Sequence, residues 1–257
     1  MTKIIFLDFD QTLYSHFTNC IPASAAKALN IAHEKGIKIF LCTGRSLCEM
    51  VNFDISMVNF DGMIANNGQV GYDSNDNILF DYPISGKLKE LLIDKYNKKT
   101  VPIFINTADS IMCNFVNDKV RQTQKDINSP IPPIKEYNNE KFYMSSAFYN
   151  NKEDWDDLLS LKEYANITYW HDGAVDIVPN DASKAIGIER ILEYYHLSVQ
   201  DAMAIGDSEN DIEMLKYCGT SIAVGNAMES VKEVADFISS DIDDDGIYNA
   251  LKHYQII

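Results

Sequence analysis

Long apolar runs are missing from this 257-residue chain: none approaches the ~18 residues that carry a helix across a bilayer. A secretory leader is not expected either, because Met1-Thr-Lys-Ile-Ile-Phe-Leu-Asp8 turns acidic too early. Cysteine is scarce. Cys20, Cys42, Cys48, Cys113 and Cys218 form an odd set with no Cys-x-x-Cys pair, and no His-rich tract accompanies Cys42 and Cys48. That pattern argues against zinc and for buried thiols in a reducing, cytoplasmic setting. Positive charge is also short: Lys plus Arg total 22 against 38 Asp plus Glu, a net charge of −16. Nucleic-acid phosphates and anionic membranes would repel such a chain, so neither is an expected partner. The same repulsion applies to small phosphorylated molecules unless their site is locally positive.

What is present reads as folded protein. Hydrophobic residues make up 46% and charged residues 23%, which excludes disordered and low-complexity classes. The length fits one large domain or two smaller ones. Lys3 to Asp8 is an apolar run ended by an acid, too short for a helix and consistent with a strand buried on both faces. Pro22 to Lys35 places Ala25, Ala28, Leu29 and Ala32 on one helical face, with Gly36 as its stop. Ile37 to Thr43 is a second apolar run, so the segment predicts a βαβ unit and a parallel sheet. A helix is expected at Ser46-Leu-Cys-Glu49, a short strand at Met63-Ile-Ala65 and a tight turn at Asn67-Gly68.

The character changes between about Ser85 and Pro179. That stretch holds most of the aromatics, a Pro-rich turn at Pro130–Pro133 and a hairpin signal at Asp172-Gly173. It reads as a separate α+β module. The βαβ style resumes at Lys184 with a helical stripe of Ile188, Ile191, Leu192 and Tyr195. Ala202–Gly206, Ser221–Gly225 and Phe237-Ile238 follow as strands. One sheet domain, interrupted by an insert, is the expected organisation: residues 1–84 and 181–257 against 85–180.

Four places carry chemistry. Asp8 and Asp10 stand where the first strand ends, and ligands of open parallel sheets bind at the carboxyl ends of strands. Two carboxylates there can hold a cation, or divide into nucleophile and proton donor; an acid that caps the next helix is the plainer alternative. Gly206-Asp207-Ser-Glu-Asn210-Asp211 is a second acidic cluster at a strand end, with capping-box spacing between Ser208 and Asp211. Its oxygen donors exceed what one cap needs and suit Mg²⁺. Lys184 falls on the buried stripe of its helix, near an N-terminus whose dipole it opposes, so it needs an anionic partner. The alternative is a lysine that snorkels to the surface. Thr43-Gly44-Arg45 offers a hydroxyl and amides to a phosphate, or is an ordinary turn. Two acidic stretches imitate calcium loops without completing one. After Asp241-Ile-Asp243-Asp-Asp245-Gly246 the twelfth position is Lys252, and Asp73-Ser-Asn75-Asp-Asn77 has Ile78 where glycine is required. Both read as solvated turns.

In order, Asp8-x-Asp10-x-Thr12, Thr43-Gly44-Arg45, Lys184 and Gly206-Asp207-x-x-Asn210-Asp211 resemble the haloacid dehalogenase superfamily, and more narrowly its Cof-type sugar-phosphatase branch. Gln11 departs from the usual glycine, which puts the turn after Asp10 in question. The resemblance implies an α/β protein: a Rossmann-like three-layer parallel-sheet core with an inserted α+β cap. Only about 30 residues separate Thr12 from Thr43, so the cap falls in the later insert, between Thr43 and Lys184. It further implies a Mg²⁺-dependent phosphatase for a small phosphorylated metabolite. In that reading Asp8 is the nucleophile and Asp10 the proton donor. Thr43, Gly44, Lys184 and Asn210 bind the phosphoryl group; Asp8, the Asp10 carbonyl, Asp207 and Asp211 surround the metal. A phosphomutase or phosphotransferase, or a catalytically silent phospho-ligand sensor, is the alternative. The cap would choose substrates and the core would perform the chemistry. Oligomeric state is not readable.

Overall fold

The computed structural model describes residues 2–127 and 129–257. The chain opens with β1 (Ile4–Leu7), α1 (Ala23–Glu34), β2 (Lys38–Cys42), α2 (Leu47–Met50), β3 (Gly62–Ala65), β4 (Val70–Asp73) and β5 (Ile78–Asp81). It continues through α3 (Gly86–Lys98), β6 (Ile103–Asn106), β7 (Ile111–Cys113), α4 (Asp118–Asp126), β8 (Met144–Phe148), α5 (Lys152–Leu159), β9 (Ala165–His171) and β10 (Ala174–Pro179). It ends with α6 (Lys184–Tyr194), β11 (Ala202–Gly206), α7 (Ile212–Tyr217), β12 (Thr220–Ala223), α8 (Glu229–Lys232), β13 (Phe237–Ile238) and α9 (Gly246–His253).

Two compact units result: residues 1–45, 49–81 and 183–257 form one, and residues 46–48 and 82–182 the other. The first unit is built on a sheet of order β13-β12-β11-β1-β2-β3-β4-β5. Its six strands from β13 to β3 are parallel, as the apolar runs predict. All four residues of β1 are fully buried, because a central parallel strand is covered on both faces. β1 lies between β11 and β2, so Asp8, Thr43 and Asp207 leave the sheet at one carboxyl edge. Helix α1 buries Ala25, Ala28, Leu29 and Ala32 and ends at Gly36, whose φ of +86° is left-handed and free of Cβ strain only for glycine.

The sheet is longer than the βαβ pattern implies. β4 and β5 add an antiparallel edge. Their hairpin uses the acidic stretch from Asp73 to Asn77: the Asp73 carboxylate accepts the Asn75 and Asn77 backbone N–H groups and the Asn77 side-chain amide. The expected parallel βαβ style missed these strands because four-residue runs, one of them interrupted by Gly71, carry little periodicity.

The second unit has an antiparallel sheet of order β7-β6-β8-β10-β9, with the Asp172-Gly173 hairpin joining β9 to β10. One sheet face packs Ile103, Ile105, Val175 and Ile177 against Leu88, Leu92, Tyr96 and Leu158 of α3 and α5. The other packs Phe104, Phe148 and Ala174 against Val120 of α4. Phe142 and Phe148 thus fill this unit's own core, and Tyr143 is buried, whereas Tyr169 and Trp170 on β9 are exposed. Among the described residues, no helix is long and apolar enough to cross a membrane. Cys42, Cys113 and Cys218 are buried free thiols as expected, but Cys20 is exposed because it lies in the loop between β1 and α1.

Candidate active site

The sequence places Lys184 at the start of α6, and two glycines set where that start lies. Gly68, with φ +97°, passes so close to α6 that a Cβ there would lie 2.0 Å from the Ser183 carbonyl oxygen. A Cβ on Gly187 would lie 2.9 Å from the Gly68 Cα. The Asn66–Gly68 turn after β3 therefore meets the helix backbone to backbone, and the Ser183 hydroxyl caps the helix by accepting the Ile186 N–H.

This packing delivers Lys184 to the sheet edge with 1% of its surface exposed. Its Nζ donates to Asp8 Oδ1 and, at 2.6 Å, to Asp211 Oδ1. The surface-lysine alternative is excluded. Although burial opposes the charge, Asp211 and Asp8 hold the Lys184 ammonium protonated and raise its pKa. Burial also pushes the Asp8 carboxyl well above the usual carboxylate range. Lys184 pulls it down, while Asp211, Asp207 and Asp10 add to the rise.

Asp211 is fully buried and has two roles on its two oxygens. Oδ1 receives Lys184, and Oδ2 accepts the backbone N–H groups of Asp207 at 3.0 Å and Ser208 at 3.1 Å. This is the expected capping box, and it also aims Asp207. A Cβ on Gly206 would lie 2.6 Å from the Asp211 Cβ, so glycine is needed there for the turn to close. Asp207 Oδ1 accepts the Thr12 hydroxyl at 2.6 Å. Burial, against the pull of Thr12, pushes the Asp207 carboxyl up to about 6.

Asp8, Asp207 and Asp211 each present an oxygen within 4.8 Å of the others, all three buried. One ammonium faces three carboxylates. The donor set is all oxygen and carries excess negative charge, which fits a hard divalent cation.

Asp10 leaves this cluster. Arg45 grips it with a two-bond fork, Nε to Oδ2 at 2.9 Å and Nη2 to Oδ1 at 2.7 Å, and His16 Nε2 meets Oδ1 at 2.7 Å. Burial works to raise Asp10, but these hydrogen bonds and charges hold it down to about 2. Nothing in the sequence pattern singles out His16: the loop folds back across six residues to bring it there. Gln11 settles the question of the missing glycine. Its φ is +60°, so the turn keeps the left-handed backbone that glycine would supply, at the strain cost of a Cβ.

Thr43 is fully buried and its Oγ1 accepts the Arg45 N–H at 3.1 Å, which leaves the hydroxyl hydrogen to donate. Beside it, a Cβ on Gly44 would lie 3.1 Å from Asn67 Oδ1. The same Asn67 oxygen accepts from Asn210 Nδ2 at 3.2 Å, although Asn210 itself is exposed. Seven of the eight predicted site residues thus follow strand ends at the carboxyl edge of one sheet, and the eighth, Lys184, reaches that edge from the first turn of α6. Asp8, Lys184, Asp207 and Asp211 are in one bonded cluster; Asp10 joins Arg45 and His16; and Thr43, Gly44 and Asn210 line the Asn67 side.

Comparison with known proteins agrees with this geometry. The family model described as haloacid dehalogenase-like hydrolase matches residues 5–251. The solved structure of BT1666 from Bacteroides thetaiotaomicron, studied among the phosphatases of that superfamily, superposes with a TM-score of 0.91 at 30% identity, covering 100% of this chain and 96% of its own. The subclass IIB sugar phosphatase BT4131 superposes with a TM-score of 0.84 at 29% identity over 100% of both chains. The 5-amino-6-(5-phospho-D-ribitylamino)uracil phosphatase YcsE of Bacillus subtilis is 26% identical over 254 residues, 98% of this chain and 95% of its own length. This chain therefore belongs to the haloacid dehalogenase-like hydrolases, as a phosphatase of that family.

Proposed function

We propose that this phosphatase hydrolyses small phosphorylated metabolites through a phosphorylated Asp8, with Mg²⁺ held by Asp8, Asp207, Asp211 and the Asp10 carbonyl. The observation that carries the reading is the buried set of Asp8, Asp207 and Asp211 facing the single ammonium of Lys184. When bound, the metal supplies charge neutralisation for phosphoryl oxygens. BT4131 is named as a sugar phosphatase and YcsE as a phosphatase of a ribityl phosphate compound, which supports a small phosphorylated substrate here.

The chain's own groups divide the work. An Asp8 carboxylate oxygen attacks phosphorus, the bond from phosphorus to the ester oxygen breaks, and its electron pair stays on the departing alcohol. Asp10 gives that oxygen a proton, then takes one from the water that attacks the phosphorylated Asp8 and frees its carboxylate. Arg45 and His16 hold Asp10 ready for the second of these roles. The phosphoryl dianion, once beside it, pushes the carboxyl back up toward the first. Lys184 has three donors and spends two on Asp8 and Asp211, so one remains for a phosphoryl oxygen. The Thr43 hydroxyl, the Gly44 backbone and Asn210 bind the other oxygens.

The test is phosphate release from sugar phosphates, nucleotides, and flavin and pyridoxal phosphates, with Mg²⁺ and with a chelator. Metal-dependent release from one class of small phosphate ester is expected. Unchanged turnover in chelator would overturn the metal reading. Transfer of phosphate to an added alcohol, without release, would favour the phosphotransferase.

A further inference from the structure

A carboxylate has about four lone-pair positions, and three of those on Asp10 are occupied. The Arg45 fork takes one on each oxygen, and His16 takes a second on Oδ1. Because an ionised carboxylate only accepts, His16 Nε2 is the donor in that contact. The one position left open is on Oδ2.

The contact is built. Tyr14 stacks on Phe9 with centroids 5.1 Å apart and meets Phe53 and the His16 ring edge to face at 5.0 and 5.4 Å. Phe53 in turn carries the Arg45 guanidinium 4.6 Å above its ring. Next to His16, the buried Ser15 donates to Asp243 Oδ2 at 3.0 Å, and its backbone N–H donates to the Cys20 carbonyl. The chain leading into His16 is therefore anchored, while the His16 and Asp10 side chains stay 40% and 34% exposed.

We propose that His16 is a positioning residue of this phosphatase: by donating to Asp10 Oδ1 beside the Arg45 fork, it confines the proton that Asp10 exchanges with the leaving alcohol to Oδ2. The inference rests on the reading of Asp10 as the proton donor. A carboxyl free to rotate offers its proton from either oxygen and in several directions, and general acid catalysis depends on a fixed reach to the ester oxygen. Only leaving groups that need a proton should notice the loss.

The experiment measures kcat/KM, which covers the steps up to alcohol departure, for two substrates. One is the alkyl phosphate turned over fastest in the panel above; the other is p-nitrophenyl phosphate, whose leaving group departs without a proton. In His16→Phe, which keeps the ring against Tyr14 but removes the donor, the alkyl ester should slow about tenfold and the aryl ester less than twofold. His16→Gln, which restores an N–H at similar reach, should recover most of the alkyl rate. Asp10→Asn is the control and should show the same selectivity more strongly. Uniform losses in His16→Phe, no loss at all, or no recovery in His16→Gln would overturn the role of His16 while selective Asp10→Asn keeps the donor reading. Equal losses on both esters in Asp10→Asn would overturn the donor reading and the inference with it. Thermal midpoints of all three variants, measured alongside, ensure that the rates compared are those of folded protein.

Discussion

Lys184 Nζ donates to Asp211 Oδ1 at 2.6 Å with both side chains wholly excluded from solvent, and its second bond goes to Asp8. One ammonium thus ties the end of β1 to the turn after β11. The cluster stays buried only because that charge is there.

Lys184→Met tests this directly. Removing one partner of a buried ion pair costs about 3–5 kcal/mol, because the remaining charges lose compensation. A drop of that size in denaturant stability is expected, together with a fall in kcat/KM of about 10²–10³, as for a lost donor to a developing anion. A fall in stability with full activity would show a purely structural lysine.

Asp8→Asn should abolish turnover while the thermal midpoint stays level or rises. The nucleophile is lost, but so is one carboxylate of a crowded buried set whose pKa burial has already raised. Phosphate release at near wild-type rate in this variant would exclude the phosphorylated Asp8.

Asp207 predicts the pH dependence of the metal-free protein. Its folded pKa of about 6 lies above the ordinary value of 3.8, so between those pH values the folded state holds more protons than the unfolded chain. Stability from this group is therefore full below pH 3.8 and falls as pH rises through 6. In chelator, the thermal midpoint of wild type should fall relative to Asp207→Asn across that window. Parallel curves would refute the assignment.

Gly68→Ala should damage stability and activity together. The left-handed φ of +97° is strained for alanine, and the added Cβ would sit 2.0 Å from the Ser183 carbonyl oxygen. More than about 1–3 kcal/mol of stability should be lost, since clash adds to strain. The start of α6, and Lys184 with it, must move. Denaturant melts and kcat/KM on one substrate check both halves.

The amino-acid sequence by itself determined the strands that end at Asp8, Thr43 and Asp207 and the capping box before α7, and it set Lys184 on the buried stripe of its helix with a surface lysine as the alternative. Those are local matters of apolar period, capping chemistry and the dipole of a helix end. The edge strands β4 and β5 escaped it, because runs of four residues are too short to show a clear period. Gln11 shows the same limit: its left-handed backbone is held by the surrounding loop and is invisible in its residue type. What only the tertiary structure decided is which acids face which cations. Lys184 pairs with Asp211 across 27 positions and with Asp8 across 176, while Asp10 turns aside to Arg45 and His16. Residue type and spacing bring acids to a strand end. Sheet order and the glycine contact between Gly68 and Gly187 choose their partners, because charge pairing depends on distances that only packing defines.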